Sequence, residues 1–162
     1  MGKKVAIGIG NYLMQDDGIG PKVIEQICLR KLDQDFEAED IAMDGLRLFR
    51  HFNYETEKIV IVDSAFMGQK PGAVMVFSPD QIQTRIQTQT HTQTLRKCQP
   101  ISTHEGDILN LINLGKMLHL PIPKIKIVAV EPEQIDIGDE LSARLKSKID
   151  EVIQHVVQEL SF

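Results

Sequence analysis

The sequence predicts an α/β protein, a three-layer α/β/α sandwich around a mixed, mainly parallel central sheet. Three observations predict it. Short runs such as Ile59-Val60-Ile61-Val62 are continuous and β-branched, as in strands covered on both faces. Stretches with apolar residues at helical spacing separate them. The two patterns alternate along 162 residues with no linker and no long repeat, so a single domain over residues 1–162 is expected.

Taken in order, residues 4–9 read as a buried first strand that ends in the turn Gly8-Ile9-Gly10-Asn11. Residues 21–31 read as a helix, because Val23, Ile24, Ile27 and Cys28 form one apolar stripe and Pro21 suits a first turn. A second strand is expected over 36–43 and a short helix over 46–52. The clearest strand is 58–63, followed by the Pro71-Gly72 turn and a strand over 72–77. A helix over 106–118 places Ile108, Leu111, Ile112 and Leu118 largely on one face, and a further strand covers 124–130. One long closing helix is expected over 139–160, with Leu141, Leu145, Ile149, Val152, Ile153, Val156 and Leu160 at helical spacing. The Gln- and Thr-rich segment 81–94 alternates but is polar on both faces. It therefore reads as an exposed strand or loop, with a substrate-facing loop as the functional alternative.

Composition narrows the function. Hydrophobic residues make up 42% and charged residues 25%, an ordinary globular balance. A net charge of -5 argues against a non-specific nucleic-acid binder, which needs a basic face. The two cysteines, Cys28 and Cys98, lie far apart and outside any C-x-x-C, so they predict reduced thiols rather than a thiolate zinc site or a disulfide framework. The apolar run near the start is short and breaks at Gly10-Asn11, and the longest apolar runs are strand-length, far below a membrane span. Met1-Gly2 lacks the Ser or Thr that a myristoylation start requires, since position 6 is Ala6. These absences lead us to expect a cytoplasmic protein.

The densest chemical signal is Gly8-Ile9-Gly10-Asn11-Tyr12-Leu13-Met14-Gln15-Asp16-Asp17-Gly18-Ile19-Gly20, between the first strand and the first helix. In open α/β sheets this carboxyl-end position is where ligands bind. The dinucleotide fingerprint fails, because its third glycine falls on Leu13, and no Gly-Lys-Ser/Thr completes a phosphate loop. The loop offers two adjacent carboxylates, Asp16 and Asp17, which also fit a solvated turn or helix cap. Asp63 ends the strongest strand on the same rim, where it also fits a strand-exit turn. His104 stands in Ser102-Thr103-His104-Glu105-Gly106-Asp107 just before a helix, a segment that also reads as a cap. Among the other histidines, His51 and His91 have no comparable setting, and His119 and His155 read as surface residues on or near helices. Two carboxylates and an imidazole converging on one rim make a donor set for a borderline metal such as nickel, zinc, copper or iron. The zinc-protease motif H-E-x-x-H and the nucleophile elbow G-x-S-x-G are both absent.

In this order the three segments resemble the hydrogenase maturation endopeptidases. Residues 8–20 match the family loop G-x-G-N-x-x-x-x-D-[DE]-x-x-G, residues 59–63 match its apolar strand ending in Asp, and His104 matches its His before a mid-chain helix. Asp63-Ser64-Ala65-Phe66-Met67-Gly68-Gln69-Lys70-Pro71-Gly72 also looks like the family's segment between strands. The resemblance spans nearly the whole chain. It implies metal contacts by Asp17, Asp63 and His104, a supporting place for Asp16, and catalytic parts for Asp17 and Asp63. It implies an aspartic-type endopeptidase that removes a C-terminal extension from a nickel-iron hydrogenase large-subunit precursor once nickel is inserted. The nickel is supplied by or shared with that precursor, and a monomer with no nucleic-acid partner and no membrane span is expected. One departure is Ala129 in Val128-Ala129-Val130-Glu131-Pro132, where the family pattern has Gly. A methyl there narrows the backbone approach and leaves the detail of that wall open, but not the metal site. The alternatives are a nickel-dependent docking or chaperone module that does not cut, and a small-molecule hydrolase or transferase on a similar scaffold.

Overall fold

The computed structural model describes residues 2–81 and 105–162, with residues 105–107 described by their backbone alone. His104, His91, Cys98 and all but the first residue of segment 81–94 lie outside the described residues. The strands are β1 (Lys3–Ile9), β2 (Glu37–Ala42), β3 (Thr56–Ser64), β4 (Val74–Phe77) and β5 (Lys124–Val130). The α-helices are α1 (Ile19–Leu29), α2 (Glu105–Met117), α3 (Ala143–Lys146) and α4 (Ile149–Ser161). Two 3-10 turns, Gln15–Gly18 and Gly45–His51, precede α1 and follow β2. The sheet order is β2-β1-β3-β5-β4. The pairs β1–β2, β1–β3 and β3–β5 are parallel, and β4 runs antiparallel to β5 at the edge. The mixed, mainly parallel sheet of the expected sandwich is therefore present.

Strand alternation divides the apolar residues between two cores. Ala6, Val60, Val62, Val128 and Val130 meet α1 and α4 through Ile19, Val23, Ile27, Val152 and Val156. Val5, Ile7, Ile59, Ile61, Ile127 and Ala129 face the other way, against Leu48 of the second 3-10 turn, Phe52 just after it, and Ile108 and Ile112 of α2. Ile7, Ile59, Ile61 and Ile127 are fully buried, so truncating any of them to Ala costs about 2–5 kcal/mol. Among the described residues no helix is long and apolar enough to cross a membrane.

Two glycines set the first crossover. Gly10 adopts φ +145°, and a side chain there would lie 2.0 Å from the Asp17 carbonyl oxygen. Gly20 in α1 lets the helix backbone touch the sheet: a Cβ would fall 2.3 Å from the Ile9 carbonyl and 2.4 Å from that of Val62. The helix starts two residues before the expected Pro21. Its first-turn N–H groups lack helical partners in any case, so proline costs nothing there.

The expected closing helix over 139–160 is corrected by the structure. Residues 139–142 form a loop, α3 is one short turn, and the long helix begins only at Ile149. Ser142 is the cause, since it takes an extended backbone (φ −57°, ψ 154°) and its side chain accepts the Leu145 N–H at 3.3 Å. The apolar period continued through this break because Leu141 and Leu145 are buried from both sides of it. The short helix expected over 46–52 is a 3-10 turn over Gly45–His51.

Candidate active site at the carboxyl rim of the sheet

Asp16 and Asp17 are both buried, 0% and 6% exposed, yet they face different partners. Asp16 Oδ2 accepts the N–H groups of Glu133 and Gln134 at 2.9 Å each and the Ser142 hydroxyl at 2.9 Å, while its Oδ1 accepts the Ser142 N–H at 2.7 Å. Its backbone N–H donates to Gln134 O at 3.1 Å. Asp16 thus ties the loop after β5 to the loop after β1. Its four donors compensate the burial of the charge.

Asp17 faces the rim. Its Oδ2 accepts the Asn11 N–H at 3.1 Å and its Oδ1 accepts the Ser64 hydroxyl at 2.8 Å. Ser64 ends β3 and follows Asp63, which is fully buried and stands in register with Ala129 of β5. The Ser64–Asp17 bond therefore brings the acid of the first loop to the strand end that carries Asp63. Alternation puts the Asp63 side chain on the face of Ile61 and Ala129, the face that α2 covers through Ile108 and Ile112.

The direction of α2 follows from its far end. Lys116 lines a cavity together with Lys58 and Lys124, near the amino ends of β3 and β5. Thirteen residues span about 20 Å, roughly the length of a strand, so the amino end of α2 at Glu105 lies toward the rim of Asp63. Of the expected site residues, Asp17 and Asp63 both stand at the carboxyl rim, Asp16 holds the neighbouring loop, and His104 lies outside the described residues. Ala129 is fully buried in the β5 ladder beside Asp63, so its methyl is part of the packed core next to that acid.

Two buried groups escaped the sequence reading. His51 is 2% exposed, and its Nε2 lies 2.7 Å from Glu39 Oε2. Glu39 Oε1 also accepts from Arg47 at 2.5 Å and Arg50 at 3.1 Å, and Lys3 pairs with Glu37 at 2.5 Å. Donor atoms of Glu37, Glu39 and His51 lie within 4.8 Å of one another, but these cations already supply the positive charge there. The group is an ion-pair knot joining β2 to the 3-10 turn. Burial pushes the Glu39 carboxyl up, but the His51 hydrogen bond and the charges of His51, Arg47 and Arg50 outweigh it, leaving the pKa below its ordinary value. Helical spacing gave no sign of this, because 3-10 geometry turns His51 inward. The second missed group is Glu131, 6% exposed directly after β5, where its Oε2 accepts the Met67 N–H at 2.6 Å. The signal for it was an acid at the end of a buried parallel strand.

Comparison with known proteins follows the same lines. A family model described as hydrogenase maturation protease matches residues 28–159, which takes in Asp63 and His104. The hydrogenase expression/formation protein HupD of Rhodobacter capsulatus is 22% identical over 158 residues, covering 96% of this chain and 70% of its own length. Among solved structures, the [NiFe] hydrogenase maturation protease HybD from Thermococcus kodakarensis is 27% identical, with a TM-score of 0.75 over 98% of this chain and 99% of its own. The hydrogenase maturating endopeptidase HybD from E. coli shares the fold, with a TM-score of 0.76 at 19% identity over 98% and 92% of the two chains. The chain belongs to the hydrogenase maturation protease family.

Proposed function

We propose that this protein is an endopeptidase that removes the C-terminal extension of a nickel-iron hydrogenase large-subunit precursor and cuts only after nickel has been inserted. The observation that supports the reading is that two buried carboxylates, Asp17 and Asp63, stand at the same carboxyl rim, with Asp17 bonded to Ser64, the residue after Asp63. Carboxylates with one imidazole suit a borderline ion such as nickel, and His104, which precedes α2, is the proposed third donor. Three protein donors leave positions open, so nickel already held by the precursor can be shared. Docking of the scissile bond then depends on the metal, which makes cleavage a checkpoint on nickel insertion.

Ser64 and the Asn11 N–H orient Asp17 and leave it little freedom to turn away. Asp17 and Asp63 then serve both the metal contact and the positioning of the attacking water. Nickel held between the precursor and these donors would supply a Lewis acid for the scissile carbonyl or the water; the water oxygen adds to the carbonyl carbon, and the peptide C–N bond breaks as the amine takes up the water's proton. Replacing Asp17 or Asp63 with Asn keeps the shape but removes the charge. We expect either variant to fold like the wild type by circular dichroism and to lose at least about a hundredfold in cleavage rate, measured by release of the precursor's C-terminal peptide. Full cleavage by Asp17→Asn would sink its assignment.

A further inference from the structure

Glu131 has no part in the machinery assigned above. The β ladder runs on through it. Ala65 N–H donates to Val130 O at 3.0 Å, Glu131 N–H to Ala73 O at 2.9 Å, and Gly72 N–H to Glu131 O at 2.8 Å. Glu131 lies two residues beyond Ala129, so its side chain shares the sheet face of Ala129 and of its partner Asp63. On that face its Oε2 accepts the Met67 N–H at 2.6 Å, a short bond to a charged acceptor. The Met67 side chain is itself buried in the core on that side, and the adjacent Phe66 is 49% exposed. The segment 65–72 that leaves Asp63 is thus held at Met67 by a buried side chain and a buried carboxylate, with an aromatic ring beside that anchor at the surface.

We infer that Glu131 is a positioning residue for substrate docking. By accepting the Met67 N–H it fixes segment 65–72, so that Phe66 stands as a rigid apolar contact for the stretch of precursor bound beside Asp63. The inference rests on the protease reading above. Asp63 itself is held by the β3–β5 ladder, so Glu131 acts on docking and leaves the chemistry unchanged. The bond requires an acceptor and not a charge, and a glutamine carbonyl provides one.

The test is steady-state cleavage of the nickel-loaded precursor by the wild type, Glu131→Gln, Glu131→Ala and Phe66→Ala, with a Tm for each. Glu131→Ala and Phe66→Ala are expected to raise KM about fivefold or more with kcat within about twofold, while Glu131→Gln stays within about twofold on both constants. A merely structural role would lower the active fraction, and so kcat, at unchanged KM. Wild-type KM in Glu131→Ala, or a Glu131→Gln as defective as Glu131→Ala, overturns the inference. Should Glu131→Ala fail to fold, an unchanged KM in Phe66→Ala overturns it instead. Absence of cleavage by the wild type overturns the protease reading and this inference together, whereas the preceding outcomes overturn this inference alone.

Discussion

Asp16 and Asp17 carry the same functional group on neighbouring residues, and their surroundings give them different work. Asp16 spends its lone pairs on the Glu133, Gln134 and Ser142 donors and becomes a clamp. Asp17, among the described residues, accepts the Asn11 N–H and the Ser64 hydroxyl at the end of β3. Glu39 is a half-buried acid paired with His51, Arg47 and Arg50. Its folded-state pKa lies below the ordinary value, so the knot adds stability that is fully present above the unfolded-state pKa of about 4.3 and is lost as pH falls through the folded value. Glu39→Gln removes that contribution. The urea midpoint of the variant should therefore lie below that of the wild type at pH 7, with the gap closing on acidification below about pH 4. A gap that stays constant with pH would remove the charge from the account. Residue identity alone offered Asp16 and Asp17 as an equal pair; only the family resemblance gave Asp16 a supporting place, and the clamp itself was not legible. It depends on donors more than a hundred residues away.

At the level of elements, the first crossover depends on close backbone contact. Gly20 packs α1 directly on the carbonyls of Ile9 and Val62, where even a methyl would meet backbone atoms at 2.3 and 2.4 Å. Gly20→Ala must push the helix off the sheet, because backbone cannot move aside as a flexible side chain can. We expect a loss of about 2–4 kcal/mol in urea unfolding, against the small gain that alanine brings to an open helix position. A variant as stable as the wild type would show that α1 can shift freely. The strands were legible in the sequence because continuous β-branched runs have few other homes. β5 was read to the residue, and β3 was short by two residues at its start and one at its end. The closing helix was over-read because Leu141 and Leu145 keep the helical period across Ser142, whose side chain and N–H are drawn to Asp16. Periodicity reports which residues are buried, and here two separate elements bury into the same core.

Across the whole molecule, the parallel order β2-β1-β3-β5 brings the carboxyl ends of successive strands to one rim. Loops distant in sequence therefore converge there. Buried acids cross-tie them: Asp16 joins the loops after β1 and β5, and Glu131 joins β5 to the loop after β3. The rim was legible from topology, since Asp63 ended a predicted strand and Asp16 and Asp17 stood in the loop that leaves another. The cross-ties were not, because they run through backbone N–H groups that no side-chain pattern reveals. In the proposed function, a rim fixed in this way would suit a reader of a metal held by another protein, with its donors placed in advance and the substrate completing the set. The most direct measurement is intact-mass analysis of a large-subunit precursor, nickel-loaded and nickel-free, after incubation with the wild-type protein and with His104→Ala. The account predicts loss of a C-terminal peptide only from the loaded precursor treated with the wild type. Equal cleavage of loaded and nickel-free precursor would contradict the metal checkpoint, and tight binding of the loaded precursor without any loss of mass would replace the protease with a docking module.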